Sequence, residues 1–364
     1  MKILTGIDLP FAPLSGSFTL CDDLYGNINA QDSVKFLSLH SNAGKKWSKI
    51  KEVDLLNIKK EKNTNGYAKY VDKIHSSIEK QINTFKPDII HIQHFCFGMA
   101  AAFSEIDLPK IAFCHGTDVE FAIKNEIHRK TIKKVLESSE KVVFPTKSMF
   151  YDYKKLFPNI KINPVIIPWG ISDEIFKINR SRTIWHKNKC NLLYAGRLSK
   201  NKGVDTIIKS MKFLDKRFVL TIIGDGDQKD ALIKLVKEYG LSLRVKFLKF
   251  QPRKELWKLF NNYDIMIIST KIIEAFCLTA IEGQAHGLPV IHSDIGGTKD
   301  VIGLSALRFR SGNCLDLSEK IKSLAFDFKK MNQYSKIGFK NAKKYKISQT
   351  KRKIWDISRK VIKK

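Results

Sequence analysis

The chain has 364 residues, a formal charge of +29, 43% hydrophobic residues, ten prolines and six dispersed cysteines (Cys21, Cys96, Cys114, Cys190, Cys277, Cys314). That length exceeds one ordinary compact domain and suits two, and the composition excludes disorder and collagen-like structure. Without an apolar run of roughly 18 residues, a leader-like N-terminus or a CxxC pair, the chain reads as cytoplasmic, with reduced thiols and no zinc site.

Residues 2–8 (KILTGID) predict a first strand, followed by a loop through Ser15-Gly16-Ser17 and a helix from Phe18. Strand-like runs recur at Val34–Leu39 and Val53–Ile58. From Tyr67 to Phe85, Val71, Ile74, Ile78 and Ile82 share one helical face. Ile89–Gln93 is the next strand, ending in His94, and Lys110–Cys114 is another, running into His115-Gly116-Thr117-Asp118. A histidine at a strand's C-terminal end before a glycine turn is placed for a ligand, or else hydrogen-bonds the turn. His94 has the weaker claim, and Asp118 reads equally as a residue at a helix N-terminus. Strand–helix alternation continues through Lys141–Pro145, Lys147–Phe157 and Val165–Pro168. The polar stretch Asn179–Asn188 reads as a linker.

The second half opens with a strand, Asn191–Ala195, and the basic loop Gly196-Arg197-Leu198-Ser199-Lys200-Asn201-Lys202-Gly203. Phe218–Ile223 is a strand ending in Gly224-Asp225-Gly226, which is not the GxGxxG dinucleotide fingerprint. A helix at Ala231–Tyr239 and a strand at Val245–Leu248 precede the most informative stretch. There the apolar run Tyr263–Ser269 reads as a buried parallel strand, then comes a short turn with Glu274, a helix from Leu278 to His286 carrying Glu282, and a strand at Pro289–His292. This is a βαβ unit whose turn lies where open α/β sheets bind ligands. The N–H groups of Phe276, Cys277 and Leu278 would face outward at the helix start, suited to a phosphate or sugar oxygen. Asp294–Thr298 follows as a loop, then helices over Asp316–Phe328 and Tyr334–Tyr345. A last helix, Lys351–Ile362, has Ile354, Trp355, Ile357, Ser358, Val361 and Ile362 on an apolar stripe.

The pair Glu274-x(7)-Glu282 with its following G-x-P-V and D-x-G-G, the G-R-x(4)-K-G loop at 196–203, and Pro168-Trp169-Gly170-Ile171 resemble the retaining, GT-B-fold glycosyltransferases of the family 4 type (glycosyl transferases group 1). The resemblance covers nearly the whole chain and is strongest from Pro168 to Asp300. It implies two Rossmann-like domains facing across a cleft that holds the active site. Residues 1–170 would form the acceptor-side domain, 171–345 the nucleotide-sugar domain, and 346–364 a basic helix packing back on the first domain. Arg197 and Lys202 would neutralise the departing nucleoside diphosphate without a metal, Glu274 would orient the donor sugar, Glu282 would hold the ribose and His115 would lie beside the sugar. Gly224 and the 276–278 amides would approach the nucleotide, and Gly16 matches the family's glycine-rich first loop. Two departures stand out: Cys277 occupies the family's usual glycine position, and Trp169 replaces the usual asparagine.

The implied reaction moves a sugar from a nucleotide-sugar donor, UDP-sugars foremost, to a hydroxyl acceptor, with lipid-linked acceptors and small-molecule glycosides both open. Other classes compatible with the residues are a GT-B-fold nucleotide-sugar epimerase and a non-catalytic basic protein that binds nucleic acid or membrane. Charge bears on the last of these. Residues 1–170 carry 24 Lys/Arg against 18 Asp/Glu and residues 171–364 carry 41 against 18, while the final 36 hold 14 basic side chains and a single acid, Asp356. That skew fits peripheral contact with an anionic inner membrane face, a phosphorylated acceptor, or simply solvated lysine-rich surfaces, and makes nucleic acid the least favoured partner.

Overall fold

The computed structural model describes residues 1–12, 16–41, 47–61, 64–116, 118–119, 123, 125–178, 188–272 and 274–363. The chain divides into two units, Met1–Gly170 together with Ile347–Lys364, and Ile171–Lys346. The linker stretch Asn179–Asn188 lies outside the described residues except for Asn188.

In the first unit the elements run β1 (Lys2–Ile7), α1 (Gly16–Tyr25), β2 (Ser33–Ser38), β3 (Glu52–Leu55), α2 (Thr64–Phe85), β4 (Ile89–Gln93), α3 (Gly98–Ser104), β5 (Lys110–Phe113), α4 (Glu126–Ser138), β6 (Lys141–Phe144), α5 (Lys147–Leu156) and β7 (Pro164–Ile166). The sheet order is β3-β2-β1-β4-β5-β6-β7, parallel throughout. Ile89–Gln93 (IIHIQ) is buried at every position, so its two polar side chains, His91 and Gln93, must find hydrogen-bond partners inside the unit. The direction of strand addition reverses between β1 and β4, so the loops after these strands flank a topological switch point.

The chain's last helix, Ile347–Ile362, belongs to this first unit. Its predicted stripe is the buried face: Ile354, Trp355, Ser358 and Val361 are covered, while Arg352, Lys353 and Lys360 are exposed. Polar contacts fix it. The Trp355 indole donates to Asp32 (2.8 Å), the Arg359 guanidinium donates to the same carboxylate (3.1 Å), and Thr350 Oγ1 donates to the Pro168 carbonyl (2.9 Å).

Beneath that helix, His91 on β4 is fully buried and burial pushes its pKa down to about 3. An unfolded chain takes up this proton below the ordinary value of about 6.5, whereas the folded chain does not until far lower. Stability is therefore retained above pH 6.5 and lost as pH falls toward 3, by about 1.4 kcal/mol per pH unit for this one group. Thermal unfolding followed between pH 7.5 and 5 should show a steeper decline for the wild type than for His91→Gln, which offers a donor and an acceptor but no titration. Equal slopes would show that His91 does not govern this range.

The second unit contains β8 (Cys190–Ala195), α6 (Val204–Ser210), β9 (Phe218–Ile223), α7 (Lys229–Glu238), β10 (Val245–Leu248), α8 (Arg253–Leu259), β11 (Ile265–Ile268), α9 (Leu278–Ala285), β12 (Val290–Ser293), α10 (Gly296–Ile302), β13 (Leu307–Phe309), α11 (Cys314–Leu324) and α12 (Phe328–Ala342). Its parallel sheet has the order β10-β9-β8-β11-β12-β13, with the reversal between β8 and β11. Leu192, Leu220, Ile222, Ile265 and Ile267 form its centre, covered by Ile207, Leu317 and Ile321 from the helices.

Two predicted elements are corrected here. Instead of helices over 316–328 and 334–345, the chain forms α11 and α12 with a break at Ala325–Asp327. Phe326 adopts φ 65° and the Asp327 carboxylate accepts the Lys330 N–H (2.9 Å), starting a new helix. The apolar pattern runs through this break because Leu324, Ala325 and Phe326 all pack on the same core. The expected loop at Asp294–Thr298 ends at Ile295, since Gly296 already begins α10.

Candidate active site

The loops after β8 and β11 flank the switch point of the second unit, and they carry the predicted donor-side residues. The β8 loop is fastened to the β9 loop by backbone bonds from Gly196 N to Ile223 O (3.0 Å) and from Leu198 N to Asp225 O (2.8 Å). At Gly224, with φ 150°, any Cβ would overlap the Gly196 carbonyl oxygen, so only glycine lets the two loops close. The loop holds Arg197 by its carbonyl, which accepts from Tyr194 Oη (2.9 Å), and leaves the Arg197 side chain in solvent.

Five residues on, in the turn before α6, Lys202 pairs through Nζ with Glu274 Oε2 on the β11 loop. Thr270 Oγ1 donates to the same oxygen (3.4 Å). Burial works against the Lys202 charge, but the Glu274 carboxylate prevails and raises its pKa, keeping the ammonium fully charged. A permanent cation and a carboxylate thus face each other across the switch point.

Cys277 stands at φ 60° and ψ 66°, a left-handed conformation, immediately before α9. The position calls for glycine on backbone grounds, and cysteine holds it at a strain of about 1–2 kcal/mol. Its thiol stays protonated: burial, then the Glu274 charge, pushes its pKa up to about 12. The Phe276 ring is buried against Tyr345 (centroids 5.3 Å, 83°). Among the described residues the Phe276 and Cys277 N–H groups have no acceptor, and Leu278 opens the helix.

The 274–275 backbone rests directly on α10. A Cβ at Gly297 would overlap the Glu274 and Ala275 carbonyl oxygens, so this glycine fixes how close α10 comes to the β11 loop. Gly297→Ala should therefore move Glu274 away from Lys202. The expected result is roughly a tenfold or larger loss in kcat/KM on a nucleotide-sugar, because small displacements of positioning groups carry that penalty. Wild-type kinetics in Gly297→Ala would mean that the Glu274 position does not matter to the reaction.

Glu282, five residues into α9, is almost fully buried, and its carboxylate pairs with Nε of Arg253. Arg253 was not singled out from the sequence. It opens α8, and its role emerges only from a partner 29 positions away. Its guanidinium also lies over the Trp257 ring (5.1 Å). Among the described residues no group of three His, Cys, Asp or Glu side chains is arranged to hold a metal, and no helix is long and apolar enough to cross a membrane.

In the first unit, His115 follows β5 and is half-buried. Its ring stacks on His94 (4.3 Å, 27°) and lies 5.8 Å from the Trp169 ring, so the Trp169 departure is a wall beside this histidine. Burial, then the His94 ring, drives the His115 pKa well below its ordinary value, against the pull of Asp118, so it is neutral. Asp118 is fully buried; His94 and Cys96 overcome the desolvation and hold its pKa down to about 2. His94 Nδ1 (3.2 Å) and Cys96 Sγ (3.0 Å) both reach its Oδ1. Asp118 is thus a structural anion beneath the histidines. Thr117 lies outside the described residues. Gly16 begins α1, and among the described residues no atom lies near where a Cβ would project.

Residues 59–175 match Glycosyltransferase Family 4 and residues 176–341 match Glycosyl transferases group 1. An uncharacterized glycosyltransferase of Methanocaldococcus jannaschii is 28% identical over 248 residues, covering 65% of each chain. A second from that organism is 31% identical over 187 residues, 48% of this chain and 47% of its own length, so the alignments span about half to two-thirds of these relatives. Glycogen synthase of Mycobacterium tuberculosis is 27% identical over 236 residues, 60% of this chain and 55% of that protein. Among solved structures, sucrose-phosphate synthase from Thermosynechococcus elongatus superposes with TM-score 0.84 at 16% identity, covering 99% of both chains. Anabaena HepE in complex with UDP-glucose does so with TM-score 0.81 at 16% identity, covering 98% of this chain and 99% of that one. Likeness at such identity speaks for the fold, and the sequence matches run through both units. With its two doubly wound sheets and those matches, the chain belongs to the family 4-type glycosyltransferases of GT-B fold.

Proposed function

We propose that this protein transfers a sugar from a nucleotide-sugar, a UDP-sugar in the first instance, to a hydroxyl acceptor, retaining the anomeric configuration and needing no metal. The observation that carries the reading is the arrangement of Arg197, Lys202 and Glu274 at the C-terminal ends of β8 and β11, within the segment matched by the group 1 family, with Glu282 on the helix that follows. In this reading Arg197 and Lys202 neutralise the charge that grows on the diphosphate as the glycosidic bond breaks. Glu274, held by Lys202, orients the sugar through its hydroxyls, and the 276–278 amides assist at the phosphates. Glu282 accepts from the ribose hydroxyls, sharing its carboxylate with Arg253. His115 takes a substrate hydroxyl. The departing phosphate receives the acceptor's proton, so no side chain is required as general base. The UDP-glucose complex of the Anabaena fold neighbour makes UDP the first nucleotide to try.

The test is donor hydrolysis and thermal stabilisation across UDP-, GDP- and ADP-sugars, with and without EDTA, beside Glu282→Ala. One donor that stabilises and turns over, indifferent to EDTA and lost in the variant, supports the reading and identifies the nucleotide. No stabilisation by any donor would overturn it.

A further inference from the structure

A buried chain of hydrogen bonds joins the C-terminal helix to His115. Ser358 Oγ donates to the Ile354 carbonyl (2.8 Å) and meets His91 Nε2 (2.9 Å). His91 Nδ1 meets Tyr25 Oη (3.0 Å). Gln93 Nε2 donates to Tyr25 Oη (2.6 Å) and to Thr5 Oγ1 (3.3 Å), and Gln93 Oε1 meets His115 Nε2 (2.9 Å). Thr5 Oγ1 in turn donates to the His91 carbonyl (2.7 Å).

The direction of every proton in this chain follows from its two ends. The carbonyls of Ile354 and His91 can only accept, so the single protons of Ser358 and Thr5 are committed to them. Ser358 Oγ must then accept from His91, which places a proton on His91 Nε2. His91 is neutral in its buried site, so its Nδ1 is an acceptor and Tyr25 must donate to it. Tyr25 and Thr5 have now given up their protons, and the Gln93 group facing both must be the amide NH2. Gln93 Oε1 therefore faces His115, and His115 Nε2 carries the proton. Because the His115 ring is neutral, its Nδ1 holds the lone pair.

We propose that Ser358, His91, Tyr25 and Gln93 are positioning residues that lock His115 in the Nε2–H tautomer, so that its Nδ1 receives a hydrogen bond from a substrate hydroxyl and rejects a phosphate oxygen. The substrate-contact part rests on the proposed function above, whereas the tautomer lock stands on the geometry of the first unit alone. A neutral histidine free in solvent samples both tautomers; one tied to a polarised chain does not. The His94 and Trp169 rings hold the plane of the same imidazole, so both its orientation and its protonation are set before any ligand arrives.

Long-range proton–nitrogen correlation on the 15N-labelled full-length protein reads the tautomer directly, with His115→Gln and His91→Gln supplying the assignments. At pH 7.5 both His91 and His115 should carry the proton on Nε2. Ser358→Ala removes the anchor, and the His115 nitrogens should move toward averaged values, with kcat/KM for donor hydrolysis falling roughly tenfold, the worth of one substrate hydrogen bond. Ser358→Thr keeps the hydroxyl and should keep both signatures. A proton on Nδ1 of either wild-type histidine, or His115 shifts in Ser358→Ala identical to wild type, would overturn the lock. Should Ser358→Ala not fold, Tyr25→Phe cuts the chain at its middle and is read in the same way. A protein showing the expected tautomers but no response to any nucleotide-sugar would sink the proposed function and leave the lock standing.

Discussion

Glu282→Ala will abolish stabilisation by the nucleotide-sugar and lower the stability of the second unit by about 3 kcal/mol, the loss typical of removing one partner from a buried ion pair. Both effects stem from one carboxylate, which is nearly enclosed and paired with Arg253 while being the group expected to accept from the donor ribose. The two roles can be separated. Replacing both partners, as Arg253→Met with Glu282→Leu, removes the uncompensated charge and should recover most of the stability, because a well-packed apolar pair often matches a buried ion pair. Donor binding should stay lost in the double variant. Arg253→Met alone, with the carboxylate retained, tests whether the guanidinium positions Glu282: the expected outcome is weaker donor binding and a thermal midpoint no higher than that of Glu282→Ala, because the more enclosed charge is then left without its counter-ion. Thermal unfolding of all four proteins with and without donor checks the whole set. Donor stabilisation surviving in the double variant would remove Glu282 from the binding site altogether.

The sequence exposes some of this and hides the rest for physical reasons. A central parallel strand such as Ile265–Ile268 is legible because burial on both faces favours an unbroken apolar run, and the last helix is legible because one stripe, Ile354 to Val361, must be covered. The break at Ala325–Asp327 is invisible to periodicity, since the residues that interrupt the helix are as apolar as those that continue it. The helix at Gly296 looks like a loop because its first two residues are glycines, the second of which, Gly297, answers to the closeness of the Glu274 backbone and not to helix propensity. At the site, the loops that carry Arg197, Lys202 and Glu274 and the helix that carries Glu282 have local spacing that can be recognised. Arg253 has none, because its meaning lies in a partner on another helix. The chain from Ser358 to His115 is hidden for the same reason: its members come from positions 5, 25, 91, 93, 115 and 358, and only the fold makes them neighbours. Cys277 is the opposite case. Its departure from glycine is plain in sequence, while the left-handed backbone that explains why glycine belongs there appears only in three dimensions.

Arg197 and Lys202 carry the same charge on the same loop, yet their removal should read differently. Among the described residues Arg197 is held by its backbone carbonyl, and its side chain is in solvent, so Arg197→Ala should leave stability within about 0.5 kcal/mol of wild type. If it meets the diphosphate most strongly as the bond breaks, kcat should fall by roughly a hundredfold or more with little change in KM, the pattern of an interaction made in the transition state. Lys202 does two things, since its ammonium also holds Glu274. Lys202→Ala should lower kcat and raise KM together, because the freed carboxylate then faces the donor without its counter-ion and repels the diphosphate. Adding Glu274→Gln to Lys202→Ala should bring KM back toward wild type while kcat stays low, separating the repulsion from the missing cation. Steady-state kinetics on the identified donor distinguish these patterns. Unchanged kcat in Arg197→Ala would assign the departing charge to Lys202 and the 276–278 amides alone, and identical defects in the two single variants would mean that Glu274 does not need Lys202 to hold its place.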